Sequence, residues 1–248
     1  MDYAKTERRL LKGIKKFFAE SGKTKAVVGL SGGIDSAVVL ALLARALGSK
    51  NVCAMMMPNT SITKEQNMID AENLVRRLGT EHHMLEIDGF LRAFIELPWH
   101  QNGVAKANLN ARVRAVILYN YANSNGALVA GTGNKSEFYM GYFTKYGDAA
   151  ADFFPIGALL KKDVRGLARR LGIPDEFLEK APTAELWEGQ EDEKEMGIAY
   201  EVLDELLPVI LKEKKGKISA AHKKTAGKIL ALMKATEHKR EQAPILPV

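Results

Sequence analysis

Apolar residues recur at helical spacing in the first segment. Leu10, Leu11, Ile14, Phe17 and Phe18 fall on one side of a helix predicted over residues 3–20. A turn at Ser21 and Gly22 leads into a short continuous apolar run, residues 26–30, the pattern of a strand buried on both faces. Ser31, Gly32 and Gly33 break the run, and residues 36–47 return to helix, ended by Gly48. The alternation continues with a strand at 52–57, a helix at 64–78, a strand at 83–87, a helix at 108–124 and a strand at 127–131. Strands alternating with helices of these lengths predict an α/β fold, a doubly wound parallel sheet with helices on both faces.

After Gly131 the pattern changes. Residues 132–158 are rich in Gly, Asp and Tyr, which predicts a long functional loop holding a short helix. Val164, Leu167, Ala168 and Leu171 mark an amphipathic helix, residues 179–195 read as a polar, acidic, mobile connection, and two further helices are expected near 193–207 and 219–235. No internal repeat or Pro- or Ser-rich linker interrupts the chain. One domain over residues 1–248, with a helical C-terminal extension, is the economical expectation.

Composition narrows the chemistry only slightly. The 248 residues are 46% hydrophobic and 27% charged, as in a soluble enzyme. No apolar run approaches the ~20 residues that span a bilayer. The charged N-terminus has no apolar stretch behind it, so no secretory signal is expected and the expected location is cytoplasmic. A net charge of +6 suits nucleic acid or anionic nucleotides, and its short, scattered Lys/Arg clusters suit solvated helix faces. The single cysteine, Cys53, argues against a disulfide framework and a Cys-based zinc site, and His82, His83, His100 and His222 lack metal-ligand spacing. Met55, Met56 and Met57 fit strand-end core, with contact to an adenine ring as the alternative.

The informative motif lies between the first strand and the next helix: Gly29, Leu30, Ser31, Gly32, Gly33, Ile34, Asp35 and Ser36. Glycines let the backbone turn tightly and aim its N–H groups at a ligand, and the helix N-terminus behind them favours a phosphate. Ser31 and Ser36 add hydroxyls, and Asp35 offers an oxygen to a magnesium ion. A plain helix N-cap would explain neither the glycine pair nor both serines. Ser21-Gly22-Lys23-Thr24 imitates the end of a Walker A loop, but Phe17 stands where its first glycine is required and the segment precedes a strand instead of following one.

Ser-Gly-Gly-x-Asp-Ser after the first strand resembles the pyrophosphate-binding loop of the ATP pyrophosphatases, which split ATP into AMP and pyrophosphate while adenylating an acceptor oxygen. The loop leaves the acceptor open. Other segments resemble the NAD synthetase family across roughly residues 5–245: Asn108 to Arg114, Gly131 to Glu137, Gly141 to Asp148, then Asp152, Pro155, Leu159 and Lys161, then Pro182 to Trp187, Gln190, Asp192, Glu193, Gly197, Tyr200 and Asp204, and finally His238-Lys239-Arg240.

That resemblance implies ammonia-dependent amidation of deamido-NAD, with ATP as co-substrate and Mg²⁺ on Asp35 and Glu137. It implies ATP contacts from residues 29–33, Asp35, Ser36, Thr132, Lys161 and Thr183. It assigns deamido-NAD to Arg112, Tyr142, Tyr146, Asp148, Asp152, His238 and Lys239, with Asp148 and Lys161 closest to the chemistry. Whether Arg112 or Arg114 meets the substrate stays open, since residues two apart cannot share a helix face. Alanines at 149–151, where the family often has paired glycines, stiffen the loop. With only ~20 residues ahead of the loop strand, too few for a glutaminase domain, free ammonia is the expected nitrogen donor. A homodimer without nucleic-acid or membrane partners is expected.

Overall fold

In chain order the helices and strands are α1 (Tyr3–Ser21), β1 (Lys25–Gly29), α2 (Ile34–Leu47), β2 (Val52–Met56), α3 (Glu65–Leu78), β3 (Glu81–Met84), α4 (Asp88–Arg92), α5 (Gly103–Asn125), β4 (Ala127–Ala130), α6 (Lys135–Met140), α7 (Lys161–Leu171), α8 (Asp175–Glu179), α9 (Asp192–Met196), α10 (Tyr200–Ile210), α11 (Lys223–Ala235) and α12 (Glu237–Arg240). These come from a computed structural model that describes residues 1–183, 187 and 189–246.

The four strands form one parallel sheet in the order β3-β2-β1-β4. Val27 stands between Cys53 and Val129, so β1 is the centre line. The chain leaves β1 toward β2 and later returns on the other side as β4, so the strand order reverses between β1 and β4. Loops at the carboxyl ends of those two strands diverge there and open a crevice. Beyond β4 the backbone runs alongside once more: the Asp152 N–H donates to Val129 O at 2.9 Å and the Gly131 N–H to Phe153 O at 2.9 Å.

Alternate strand residues fill two cores. Ala26, Val28, Ala54 and Met56 face α1, α2 and α7, while Val27, Cys53, Met55 and Val129 face α5. Helix α2 is apolar almost all round because the sheet covers one side and α1 and α7 cover the other. A third core joins Met140 of α6 to Leu203, Leu206, Leu207 and Ile229 of α10 and α11, tying the C-terminal helices to the crevice wall. Among the described residues no helix is long and apolar enough to cross a membrane.

Three boundaries differ from the sequence expectation for physical reasons. The helix expected at 193–207 is two helices, broken where Gly197 takes a left-handed φ of 59°. The strand expected at 83–87 begins at Glu81, and as an edge strand all four of its residues are exposed, so burial leaves no pattern to read. Its continuation is only a pair of bonds, from the Leu85 and Ile87 N–H groups to Met56 O and Pro58 O, both 2.9 Å. Helix α5 starts at Gly103, ahead of the apolar periodicity, because Asn102 caps it by accepting from the Ala105 N–H at 2.8 Å. Within the Pro182–Trp187 segment, Ala184, Glu185 and Leu186 lie outside the described residues.

Candidate active site

The loop after β1 is held open by its own hydroxyls. The Gly33 N–H donates to Ser31 Oγ at 3.2 Å, the Ser31 N–H to Ser36 Oγ at 3.3 Å, and Ser36 Oγ to Gly33 O at 2.9 Å. Gly32 has φ 81°, and a Cβ there would lie 2.4 Å from Asn67 O. Only glycine fits. No side chain caps the first turn of α2, which leaves that helix N-terminus directed at the crevice.

The crevice is a cavity of about 840 Å³ whose walls combine this loop with Gly131, Thr132 and Gly133 after β4. Met55, Met57, Ala115, Leu118 and Val129 make one wall apolar. Within the methionine run, Met56 is core on the opposite face of the sheet, while Met55 and Met57, also buried, line the cavity.

At the cavity floor three charges converge. Lys161 Nζ donates to Asp35 Oδ2 at 2.5 Å and to Glu137 Oε1 at 2.9 Å, with only 5% of the lysine side chain exposed. Asn134 aligns both acids. Its amide donates to Asp35 Oδ1 at 3.0 Å, its Oδ1 accepts from the Glu137 N–H at 3.1 Å, and Glu137 reaches back to the Asn134 N–H in a capping box. Tyr200 lies with its ring 5.3 Å from Lys161 Nζ, and its hydroxyl donates to Asp192 Oδ2 at 3.2 Å and Glu137 Oε1 at 3.4 Å. Asp192 keeps a second carboxylate oxygen buried with no hydrogen-bond partner among the described residues.

Burial pushes the Glu137 carboxyl up to about 7, with Lys161 opposing the shift and Asp35 adding to it. Burial also raises Asp192, again against Lys161. For Lys161 burial disfavours the charge, yet the two carboxylates outweigh it and hold the ammonium above the ordinary lysine range. Two carboxylates aimed at one cationic atom, with a third nearby that keeps one oxygen unpaired among the described residues, form a hard oxygen donor set that fits a divalent cation such as Mg²⁺.

The Glu137 shift has a testable sign. A carboxyl with a raised folded-state pKa takes up its proton on folding, so its contribution to stability is present at low pH and is lost as pH rises through about 7. Glu137→Gln removes that loss. The unfolding free energy of the variant minus that of the parent, without divalent cations, should therefore climb between about pH 5 and pH 7, by up to about 1.4 kcal/mol per pH unit. A flat difference by differential scanning calorimetry would contradict the assignment.

Lys161 owes its position to α10. Ser136 Oγ donates to Asp204 Oδ1 at 2.5 Å and accepts from the Lys161 N–H at 3.0 Å, while Asp204 Oδ2 accepts from the Lys162 N–H at 2.7 Å. The acid thus caps α7 from another helix, and burial raises its pKa against those bonds. Asp204→Ala orphans Ser136 and the first turn of α7. The expected cost is about 2–3 kcal/mol by chemical denaturation, with a fall in turnover because Lys161 is no longer fixed.

The expected substrate residues divide. Tyr142, Asp148 and Lys239 line the cavity, as do Thr132 and Thr183. Tyr142 donates to Glu195 Oε2 at 2.7 Å and accepts from Gln190 Nε2 at 2.9 Å. Asp148 Oδ1 accepts from the Thr144 N–H at 2.8 Å, which closes a tight turn. Lys239 Nζ donates to Gly141 O and Phe143 O at 2.8 and 2.9 Å. Arg112, Tyr146, Asp152 and His238 do not line the cavity. Arg112 is exposed and donates to Lys145 O at 3.4 Å, His238 is exposed on α12, and Tyr146 is exposed with φ 61°. Asp152 accepts from the Val129 N–H at 2.7 Å and from Tyr119 at 3.3 Å, fixing the backbone beside β4. Of the two arginines it is Arg114 that lines the cavity, its Nε donating to Met57 O at 2.9 Å.

Other residues around the site had no assigned role from sequence. Asn134 was legible in the Asn-x-x-Glu capping spacing. Lys180 is paired to Asp70 at 2.6 Å and donates to Gly32 O at 3.1 Å, bracing the phosphate loop from a distant segment.

A model of the NAD synthase family matches residues 6–243. The NH(3)-dependent NAD(+) synthetase of Archaeoglobus fulgidus is 46% identical over 248 residues, covering 100% of this chain and 98% of that one. Among solved structures, the NMN synthetase of Francisella tularensis superposes with a TM-score of 0.91 at 34% identity, and the NH3-dependent NAD synthetase of Campylobacter jejuni with 0.82 at 32%. Both comparisons cover 100% of each chain.

Proposed function

This chain belongs to the NAD synthase family, and from that premise we propose that residues 1–248 act as one domain that adenylates and then amidates deamido-NAD. The enzyme is an ammonia-dependent NAD synthetase that uses ATP. The observation that carries the mechanism is the convergence of Asp35, Glu137 and Lys161 beneath a glycine loop at a helix N-terminus.

The nicotinate carboxylate oxygen attacks the α-phosphorus of ATP, and the bond to the bridging oxygen of pyrophosphate breaks. Loop amides, the α2 N-terminus and Lys161 take up the charge on the departing pyrophosphate. Asp35 and Glu137 would hold Mg²⁺, which supplies further neutralisation of the phosphates when bound. Ammonia then attacks the acyl carbon and AMP leaves, giving the amide. Asp148, accessible at the cavity, orients ammonium and accepts its surplus proton. ATP lies along residues 29–36 with its base toward Met55, Met57 and Leu118, and Thr132, Thr183 and Lys161, which line the same cavity, contact its phosphates. Tyr142 and Lys239 bind the acid substrate, and the reaction runs in the cytoplasm, where ATP is at hand.

Arg112, Tyr146 and His238 sit outside the cavity, so in this reading they serve the dinucleotide only where it extends beyond it. Asp152 acts through the backbone it fixes. Ile95, Trp99, Val104 and Val116 leave large apolar side chains exposed before and along α5. A homodimer covering them would also shelter that end of the substrate. Val116→Glu should then yield monomers by light scattering with weakened substrate binding, and an unchanged mass would refute the dimer at this face.

A second reading shortens the acid to the mononucleotide, favoured by the superposition on an NMN synthetase at TM-score 0.91. Offering the chain ATP, Mg²⁺ and ammonium with either acid separates the two. The dinucleotide reading expects kcat/KM for deamido-NAD to exceed that for nicotinate mononucleotide by at least about tenfold; the reverse order selects the mononucleotide, and turnover of neither rejects both.

A further inference from the structure

On the face of the sheet that packs against α5, the parallel register sets Cys53 of β2 opposite Glu81 of β3. His83 follows two residues on and therefore projects from the same face. The Cys53 Sγ, a Glu81 carboxylate oxygen and a His83 ring nitrogen all lie within 4.8 Å of one another. Glu81 Oε1 is 3.2 Å from His83 Nε2, and it accepts from the Tyr121 hydroxyl at 3.0 Å. The Tyr121 ring centroid lies 5.7 Å from that of His83. The thiol forms the buried floor, while the acid and the imidazole stand half exposed above it.

We propose that Cys53, Glu81 and His83 form a mixed sulfur, oxygen and nitrogen site for a zinc-class divalent cation, distinct from the magnesium donor set at Asp35 and Glu137. Sulfur, imidazole and carboxylate together select a borderline cation over Mg²⁺, and three protein ligands plus one water complete a tetrahedron. The tetrahedral bond lengths require the three side chains to close by only about 1 Å, within rotamer motion of the two exposed ones. Binding expels the thiol proton to solvent as the thiolate forms. Tyr121, hydrogen-bonded to Glu81 and with its ring beside His83, is the outer partner that orients them. A single cysteine excludes an all-cysteine site and leaves a mixed one open. Sequence spacing hid it because Cys53 and Glu81 meet through strand pairing. The site clamps the exposed edge strand β3 onto β2, so a cation there reinforces the weakest margin of the sheet.

The test uses the reduced, untagged full-length chain and Co²⁺ as the probe, with Zn²⁺ as competitor. One equivalent of Co²⁺ should bring up a sulfur-to-cobalt charge-transfer absorption, which Zn²⁺ abolishes. The carboxylates of Asp35 and Glu137 cannot produce that band, so binding there does not mimic it. Cys53→Ala should lose the band entirely. His83→Gln, a surface change that leaves the core intact, should weaken Co²⁺ by more than about tenfold, and Tyr121→Phe by about 10-fold or more. Amidation with Mg²⁺ should stay within about twofold in the His83 variant. Absence of the band in the parent protein, or a band of undiminished affinity in His83→Gln, overturns the proposal.

Discussion

Replacing Lys161 by methionine is expected to lower kcat by about 10²–10³, the size of losing one preorganised charge donor to a transition state. Among the described residues Lys161 is the one that touches both Asp35 and Glu137 with a full positive charge. Methionine keeps the length and packing against the Tyr200 ring but removes the ammonium. The two carboxylates then face each other with Asp192 nearby and no cation between them. Breaking a buried pair this way costs about 3 kcal/mol or more. Protonation of Glu137 relieves part of it, so the stability deficit should shrink below about pH 6. Rapid-quench measurement of pyrophosphate release reads the catalytic part, and thermal melts across pH read the structural part. If Lys161 only stabilised the fold, the variant would melt lower while releasing pyrophosphate at the parent rate.

Gly32→Ala is expected to reduce kcat/KM for ATP by about 10²-fold, because displacement of a phosphate-binding backbone by about 1 Å has effects of that order. Two independent constraints act on this one position. A φ of 81° is strained for alanine, at a cost of about 1–3 kcal/mol. The new methyl would also stand 2.4 Å from the Asn67 carbonyl oxygen and 2.8 Å from Asn67 Cβ on α3, neither of which is the far end of a flexible side chain. The loop must move, and with it the Ser31 and Ser36 hydroxyl bonds that hold its shape. Gly29→Ala is the control: its methyl would meet Met57 and Leu118 at 3.5 and 3.6 Å, ordinary contact distances. Direct ATP binding by calorimetry checks the pair. A Gly32 variant with parental affinity would show that the loop does not hold the phosphates in this conformation.

What the sequence disclosed follows its local physics. The phosphate loop was legible because strand, glycine pair and helix are consecutive, and the α/β alternation was legible because each buried strand is a short apolar run. Lys161 was reachable only through the family resemblance, since nothing local distinguishes a lysine at a helix start from a solvated one, whereas Glu137 also follows a Gly-rich turn at a strand end that faces the phosphate loop. Asn134 carried a local signal in its capping spacing, and it also bonds Asp35 from a position 99 residues away. Tyr200, Asp192 and Lys180 carried none, because their partners come from other turns of the chain. Arg112 and Arg114 show the limit well. Helical geometry separates their directions but does not say which one looks into the crevice; that depends on how α5 lies against β1 and β4.

The same distinction explains the boundaries. Gly197 breaks a helix that apolar spacing alone would run through, and the edge strand β3 carries no buried face to announce it. Long-range pairing also assembled Cys53, Glu81 and His83, three residues with no ligand spacing along the chain.

The central claim is that AMP is attached to the acid before nitrogen arrives. Carboxyl-¹⁸O-labelled deamido-NAD, turned over with ATP, Mg²⁺ and ammonium, tests it most directly. The account predicts one labelled oxygen in each AMP released and none in pyrophosphate. Unlabelled AMP accompanying labelled phosphate or pyrophosphate would contradict it.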